Sequence, residues 1–313
     1  MKFAFSNCKI SLAAMVIGAG CTFVIPASAA QDPAYEAFLE GNYLTALKKA
    51  KEAAAKGDPA AHTLIGELYN SGLGVARDQK TAAEWYGKAA KLGDANAQLA
   101  LGVLLSEGRG VKQDKARAAD FFEKAAGKGL ASAQYNFALV LIEGRVRNPD
   151  LPAAISWLEK AASQDHGQAL YDLAGLYQKG AGVAKDQVKA VDFLKRAAAL
   201  DHASAQVEYA IIQFNGRGVE KDEPAATKLF KSAAHKGNPV AQNRLARIYA
   251  HGAGVKEDPL EAAKWHLLAR TAGASDFWLD LYVAKLTDKQ RTAAEKAAEE
   301  WAAAHAGGQV LSR

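Results

Sequence analysis

Seven residues at intervals of 36 positions, Gly57, Gly93, Gly129, Asp165, Asp201, Gly237 and Gly273, cut most of this 313-residue chain into six equal units. An alanine follows each opener by four places (Ala61, Ala97, Ala133, Ala169, Ala205, Ala241). A small residue follows it by nine (Gly66, Gly102, Ala138, Ala174, Ala210, Ala246). Repetition of this length means that each unit is one supersecondary motif, too small to enclose a core, and that the core is built by stacking. Within every unit a glycine (Gly72, Gly108, Gly144, Gly180, Gly216, Gly252) precedes an aspartate (Asp78, Asp114, Asp150, Asp186, Asp222, Asp258). Glycine closes a helix in the left-handed conformation, and aspartate accepts from the free amides that open the next, so each unit reads as a helix, a loop and a second helix.

In the second helix Ala82, Trp85, Tyr86, Ala89 and Ala90 are matched by Ala118, Phe121, Phe122, Ala125 and Ala126, and by Ala190, Phe193, Leu194, Ala197 and Ala198, spacings that form one apolar stripe. The expected fold is all-α: an α-solenoid of stacked antiparallel helix pairs, the aromatic of one unit resting on the small residues of the next. Residues 31–56 read as an N-terminal capping helix pair broken at Gly41-Asn42, and 57–272 as the six repeats. Residues 273–306 read as a partial repeat plus a helix opened by the capping box at Thr287–Gln290, and 307–313 as a tail.

Residues 1–30 have the layout of a secretory signal peptide: Lys2 and Lys9, an apolar run from Ile10 to Ile25, then Pro26-Ala27-Ser28-Ala29-Ala30. A lipid anchor on Cys21 is the competing reading, disfavoured by Gly18 three residues before it. Export to the periplasm is expected, with secretion or display at the cell surface as the alternative. Both cysteines, Cys8 and Cys21, fall within this leader, which removes disulfide and thiolate chemistry from the mature chain. Losing Lys2 and Lys9 lowers the formal charge from +5 to +3, too little to suggest nucleic acid, and no later stretch is apolar enough to insert in a membrane.

The strings Leu64-Ile65-Gly66-Glu67-Leu68-Tyr69-Asn70-Ser71-Gly72-Leu73-Gly74-Val75 and Ala83-Glu84-Trp85-Tyr86-Gly87-Lys88-Ala89-Ala90 closely resemble the Sel1-like repeat, a relative of the tetratricopeptide repeat. Their Gly-x-Gly-Val loop returns at Gly108, Gly180, Gly216 and Gly252, whereas the third unit departs with Gly144-Arg145-Val146-Arg147. The resemblance implies that the α-solenoid is a right-handed superhelix that holds a protein or peptide partner. Exported members of the family suggest a membrane sensor kinase or another envelope protein, or contact with a host molecule or glycan.

No motif for catalysis accompanies the repeats. Gly-x-Ser-x-Gly, a phosphate loop ending in Lys-Ser or Lys-Thr, and His-Glu-x-x-His are all missing, so no enzyme activity, cofactor or metal is expected. A β-lactam or peptidoglycan-fragment hydrolase is the remote alternative, implied by disulfide-rich relatives whose cysteine pairs this chain lacks. His166 and His202 read as polar helix starts in preference to a metal pair, and the six aspartates as caps in preference to a cation ladder.

The partner is expected on the concave face, at positions 3, 6, 10, 13 and 14 after each opener. The residues there are Asn96, Leu99 and Val103; Tyr135, Leu139 and Ile142; Tyr171 and Gln178; Val207, Ile211 and Phe214; Asn243 and Arg247. Large exposed apolar patches mark partners. The competing reading is that curvature buries these side chains against neighbouring first helices.

Overall fold

The computed structural model describes residues 14–16, 22–24 and 32–305. The leader is described only as two short antiparallel strands, β1 (Ala14–Val16) and β2 (Thr22–Val24), in register Met15 to Phe23. The rest of the proposed signal peptide and the tail at 307–313 lie outside the described residues. Every other described element is a helix, and the chain forms two compact units that divide between Trp157 and Leu158.

The first unit holds α1 (Pro33–Leu39), α2 (Tyr43–Ala54), α3 (Pro59–Ser71), α4 (Gln79–Lys91), α5 (Ala95–Glu107), α6 (Lys115–Gly127) and α7 (Ala131–Glu143), each packed on the next. The boundary falls in α8 (Leu151–Ser163). The second unit continues with α9 (Gly167–Lys179), α10 (Gln187–Ala199), α11 (Ala203–Asn215), α12 (Glu223–His235), α13 (Pro239–His251) and α14 (Pro259–Thr271). It closes with α15 (Phe277–Ala284) and α16 (Asp288–His305), which both pack on α14.

Loop chemistry sets these boundaries. Gly72, Gly108, Gly144, Gly180, Gly216 and Gly252 close the first helices at φ between 64° and 73°. All six aspartates cap the second helices; Asp78, for example, accepts from the amides of Lys80 and Thr81 at 3.0 and 3.1 Å. Asp165 and Asp201 adopt φ of 57° and 67° where other units have glycine. Asparagine and aspartate tolerate this region better than most residues, and here the carboxylates gain partners: Arg196 donates to Asp165 at 2.8 Å, and Gln206 to Asp201 at 2.9 Å. At the end of the chain Thr287 and Gln290 exchange bonds, the Thr287 amide to Gln290 Oε1 at 3.0 Å and the Gln290 amide to Thr287 Oγ1 at 3.3 Å, which completes the capping box. The third loop lacks the second glycine and is tied down by Arg147, which reaches Asp120 and Glu123 of α6 at 2.6 and 3.0 Å.

One packing expectation is corrected. In the first two repeats the small residue of the first helix meets the aromatic of its own unit: a Cβ added to Gly66 would lie 2.7 Å from the Tyr86 ring, and one on Gly102 would lie 2.7 Å from Phe122. The close approach is therefore inside the helical hairpin, at the crossing of α3 with α4 and of α5 with α6. Stacking then buries the alanines on the remaining sides, as Ala97, Ala133, Ala205 and Ala241 show at full burial.

A buried carboxyl sits in the first hairpin. Glu67 is 6% exposed and accepts from Tyr86 Oη at 2.8 Å and from Ser71 Oγ at 2.5 Å. Burial pushes its pKa up, against the pull of those hydrogen bonds. A carboxyl that holds its proton more tightly when folded favours the folded state at low pH, and that contribution is lost as pH rises through its folded pKa. Glu67→Gln keeps both hydroxyl partners without the charge. It is expected to melt about 2–4 °C above the parent at pH 7, the shift that roughly 1 kcal/mol produces in a domain of this size, with the gap closing towards pH 4 in a series of thermal melts.

Candidate interaction groove

The thirteen residues expected to face a partner separate by position. At position six Leu99 and Val207 are buried, 2% and 6% exposed, so these two are core residues and not contacts for a partner. Tyr171 donates to Glu208 Oε1 at 2.6 Å and stacks on His202 at 4.7 Å, while Asn243 donates to Asp276 Oδ2 at 3.0 Å. The bond to Glu208, with burial, pushes the Tyr171 hydroxyl up to about 12. Tyr135 and Asn96 are half-buried. Position six is therefore buried in part or whole. Positions ten and beyond stay accessible: Val103, Leu139, Ile211 and Phe214 are half-buried, and Ile142 and Gln178 are exposed.

Two of these accessible residues, Ile211 and Phe214, line one groove of about 480 Å³ in the second unit. Its apolar wall is completed by Phe230 of α12 and Ile248 of α13, and Asn215, Arg217, Arg244, Arg247, His251 and Ala253 complete the lining. Phe214 packs its inner side on the core of this unit while its outer side faces the groove. Sequence reading missed Arg217 and Arg244 as site residues. Arg217 is the variable residue of a Gly-x-Gly loop and Arg244 stands at position seven, which the helical register had assigned elsewhere.

Arg247 is held from within. Its guanidinium forms a two-pronged bridge to Asp276, Nε to Oδ2 at 2.7 Å and a terminal nitrogen to Oδ1 at 2.8 Å, and it lies 5.2 Å from the Trp278 ring centre. Burial alone would raise the Asp276 carboxyl, but the bonds from Arg247, Asn243 and the Leu279 amide outweigh it and hold the group at about 2. Asn243 and Arg247, read as partner contacts, thus spend their polar atoms on the N-cap of α15. Trp278 also stacks on His251 at 4.5 Å, so α15 continues the groove with an aromatic edge; Phe277, Trp278 and Leu281 are 75%, 37% and 47% exposed. Sequence reading placed a helix there without seeing this face.

In the first unit Ser106, Phe122, Asn136, Leu139, Val140, Glu143 and Arg145 line a smaller groove of about 210 Å³ at equivalent repeat positions. His166 and His202 serve as N-caps, each accepting at Nδ1 from the amide three residues on, at 3.2 Å. Burial lowers both of their pKa values, and His202 Nε2 is engaged with Gln168 Oε1 at 2.9 Å. Among the described residues no group of three or more His, Cys, Asp or Glu side chains is placed to hold a metal ion. None of the described helices is long and apolar enough to cross a membrane.

The repeat geometry and its loop chemistry coincide with a known family profile. The Sel1 repeat matches six consecutive stretches, residues 59–94, 95–130, 131–166, 167–202, 203–238 and 239–273. The chain belongs to the Sel1 repeat family. It is similar to a Sel1 repeat protein from Oxalobacter formigenes, with 32% identity over 81% of this chain and 75% of that one and a TM-score of 0.67. It is also similar to c5321, a protective antigen present in uropathogenic Escherichia coli strains, with 29% identity over 87% of this chain and 68% of that one and a TM-score of 0.56. No curated protein matches the chain. Sel1 repeats build protein–protein interaction scaffolds.

Proposed function

We propose that this Sel1 repeat protein is an exported, non-enzymatic scaffold that binds a membrane signalling protein or another envelope protein in the periplasm, with the groove between α11 and α13 as its main site. The observation that carries this reading is the groove itself: Ile211 and Phe214, half-buried, line it over a buried floor of Phe230 and Ile248, beside the exposed Arg217 and Arg244. Concave, mostly apolar sites with a few placed polar groups are the usual form of binding sites. The leader supports export.

Crosslinked envelope extract captured on residues 31–313 is the test, with Ile211→Asp and Leu139→Asp run in parallel. Both side chains are half-buried, so the helical melting curves should stay close to the parent. Ile211→Asp is expected to lose an envelope protein that the parent retains, whereas Leu139→Asp, in the smaller groove, reduces its recovery less. Equal recovery by all three chains would remove the groove from the reading.

A second reading, a secreted or surface-exposed binder of a host molecule or glycan, is favoured by the similarity to a protective antigen. Fractionation separates the two: periplasmic recovery supports the first, and surface-accessible or released protein the second.

A further inference from the structure

We infer that the groove of the second unit takes an acidic peptide segment in which carboxylates alternate with aliphatic or aromatic side chains, an assignment that rests on the groove being the binding site. Arg217 and Arg244 are exposed and line it together with Arg247 and His251, and none of the lining residues is acidic. Arg247 is neutralised by Asp276, which fixes its position and leaves Arg217 and Arg244 as the charges open to a ligand. Clustered guanidinium groups repel one another in the free protein, and carboxylates relieve that repulsion through charge-assisted, two-pronged hydrogen bonds.

This charge is not a requirement of the fold. In the smaller groove of the first unit the helix positions of Arg244, Arg247 and His251 hold Asn136, Leu139 and Glu143. The loop position of Arg217 is Arg109 there, which is paired with Glu107 and does not line the groove, and the cations that do, Lys115 and Arg145, share the lining with Glu143. The hairpins stack in both, so Arg244 and a lining with no acidic residue are additional to what stacking needs. The same lining carries Ile211 and Phe214, half-buried, which suits a leucine or phenylalanine side chain alternating with carboxylates. The Trp278 ring, stacked on His251, gives a further apolar contact where the groove reaches α15.

The test uses residues 31–313 and three fluorescein-labelled octapeptides read by anisotropy: alternating Asp and Leu, alternating Asn and Leu, and alternating Asp and Ser. The Asp–Leu peptide is expected to bind at least about tenfold more tightly than either analogue, with its advantage over Asn–Leu shrinking from roughly 50 to 300 mM NaCl as the charges are screened. Arg217→Ala with Arg244→Ala should abolish that advantage, while Arg145→Ala in the first unit leaves it intact. All three substitutions are at exposed positions, and the circular dichroism of each variant checks folding. Equal binding of the Asn–Leu peptide, an unchanged preference in the double arginine variant, or no binding by any of the peptides overturns the assignment. If Asn–Leu binds as well and Ile211→Asp removes both peptides, the groove stands as a protein site and only the charge preference falls. If Ile211→Asp leaves peptide binding unchanged, both fall.

Discussion

Gly110→Ala is expected to destabilise the protein by about 3 kcal/mol or more, and Gly218→Ala by only about 1–2 kcal/mol, although both occupy the same place in the Gly-x-Gly-Val loop. Each glycine has a left-handed backbone, with φ of 68° and 77°, so each alanine carries the same conformational cost. The difference lies in what the new methyl meets. At Gly110 it would press on the backbone of Gln79 and come within 2.6 Å of the Lys80 amide, at the first turn of α4, whereas at Gly218 there is nothing within 4 Å. Backbone at a helix start cannot rotate aside, so α4 would have to move. Gly254 behaves like Gly110, with the Glu223 backbone at 2.8 Å in the first turn of α12. Urea titrations followed by helical circular dichroism of Gly110→Ala, Gly254→Ala and Gly218→Ala measure the three costs. A Gly218→Ala loss as large as the other two would show that the left-handed backbone, not the contact with the preceding hairpin, is what the second glycine provides.

Those loops also show which parts of this fold were legible in the sequence. Gly72 and Asp78 act through their own backbone and the first turn beside them, and such local chemistry reads directly from spacing. The apolar stripe around Tyr86 and Phe122 was legible as a stripe, but periodicity does not say which neighbour covers it. The partner proved to be the small residue of the same hairpin, Gly66 or Gly102. Leu99 and Val207 show the same limit at the proposed binding surface: a helix face can be assigned from register, while its burial depends on what the tertiary packing lays over it. Arg217 and Arg244 were hardest to see. One stands in a loop and the other on a helix of the following repeat, and only the packing of the second unit brings them to one groove.

The same reasoning separates two tryptophans at one repeat position. Trp265→Ala is expected to cost about 3–5 kcal/mol, as for other fully buried aromatic truncations, and Trp85→Ala far less. Both residues stand 28 places after their openers, Gly237 and Gly57. Trp85 is half-buried, with the Lys88 ammonium 3.8 Å from its ring centre and His62 at 5.5 Å. Trp265 is 1% exposed because α16 packs on α14 and sets Trp301 against it at 5.7 Å; its indole NH also donates to Glu261 at 2.9 Å. The corresponding Phe121, Phe193 and Leu229 of other repeats are half-buried too, so the closing helix is what turns an accessible position into core. Solenoids need an end that covers the last apolar face, and here that face backs α13, the helix carrying Arg244, Arg247 and His251. Chemical denaturation of Trp265→Ala, Trp85→Ala, Trp301→Ala and the Trp265→Ala, Trp301→Ala pair measures both the individual costs and the coupling across α14 and α16. Strong non-additivity in the pair is the expected result. Additive losses, with Trp265→Ala no worse than Trp85→Ala, would mean that α16 is an appendage and that the second unit is closed without it.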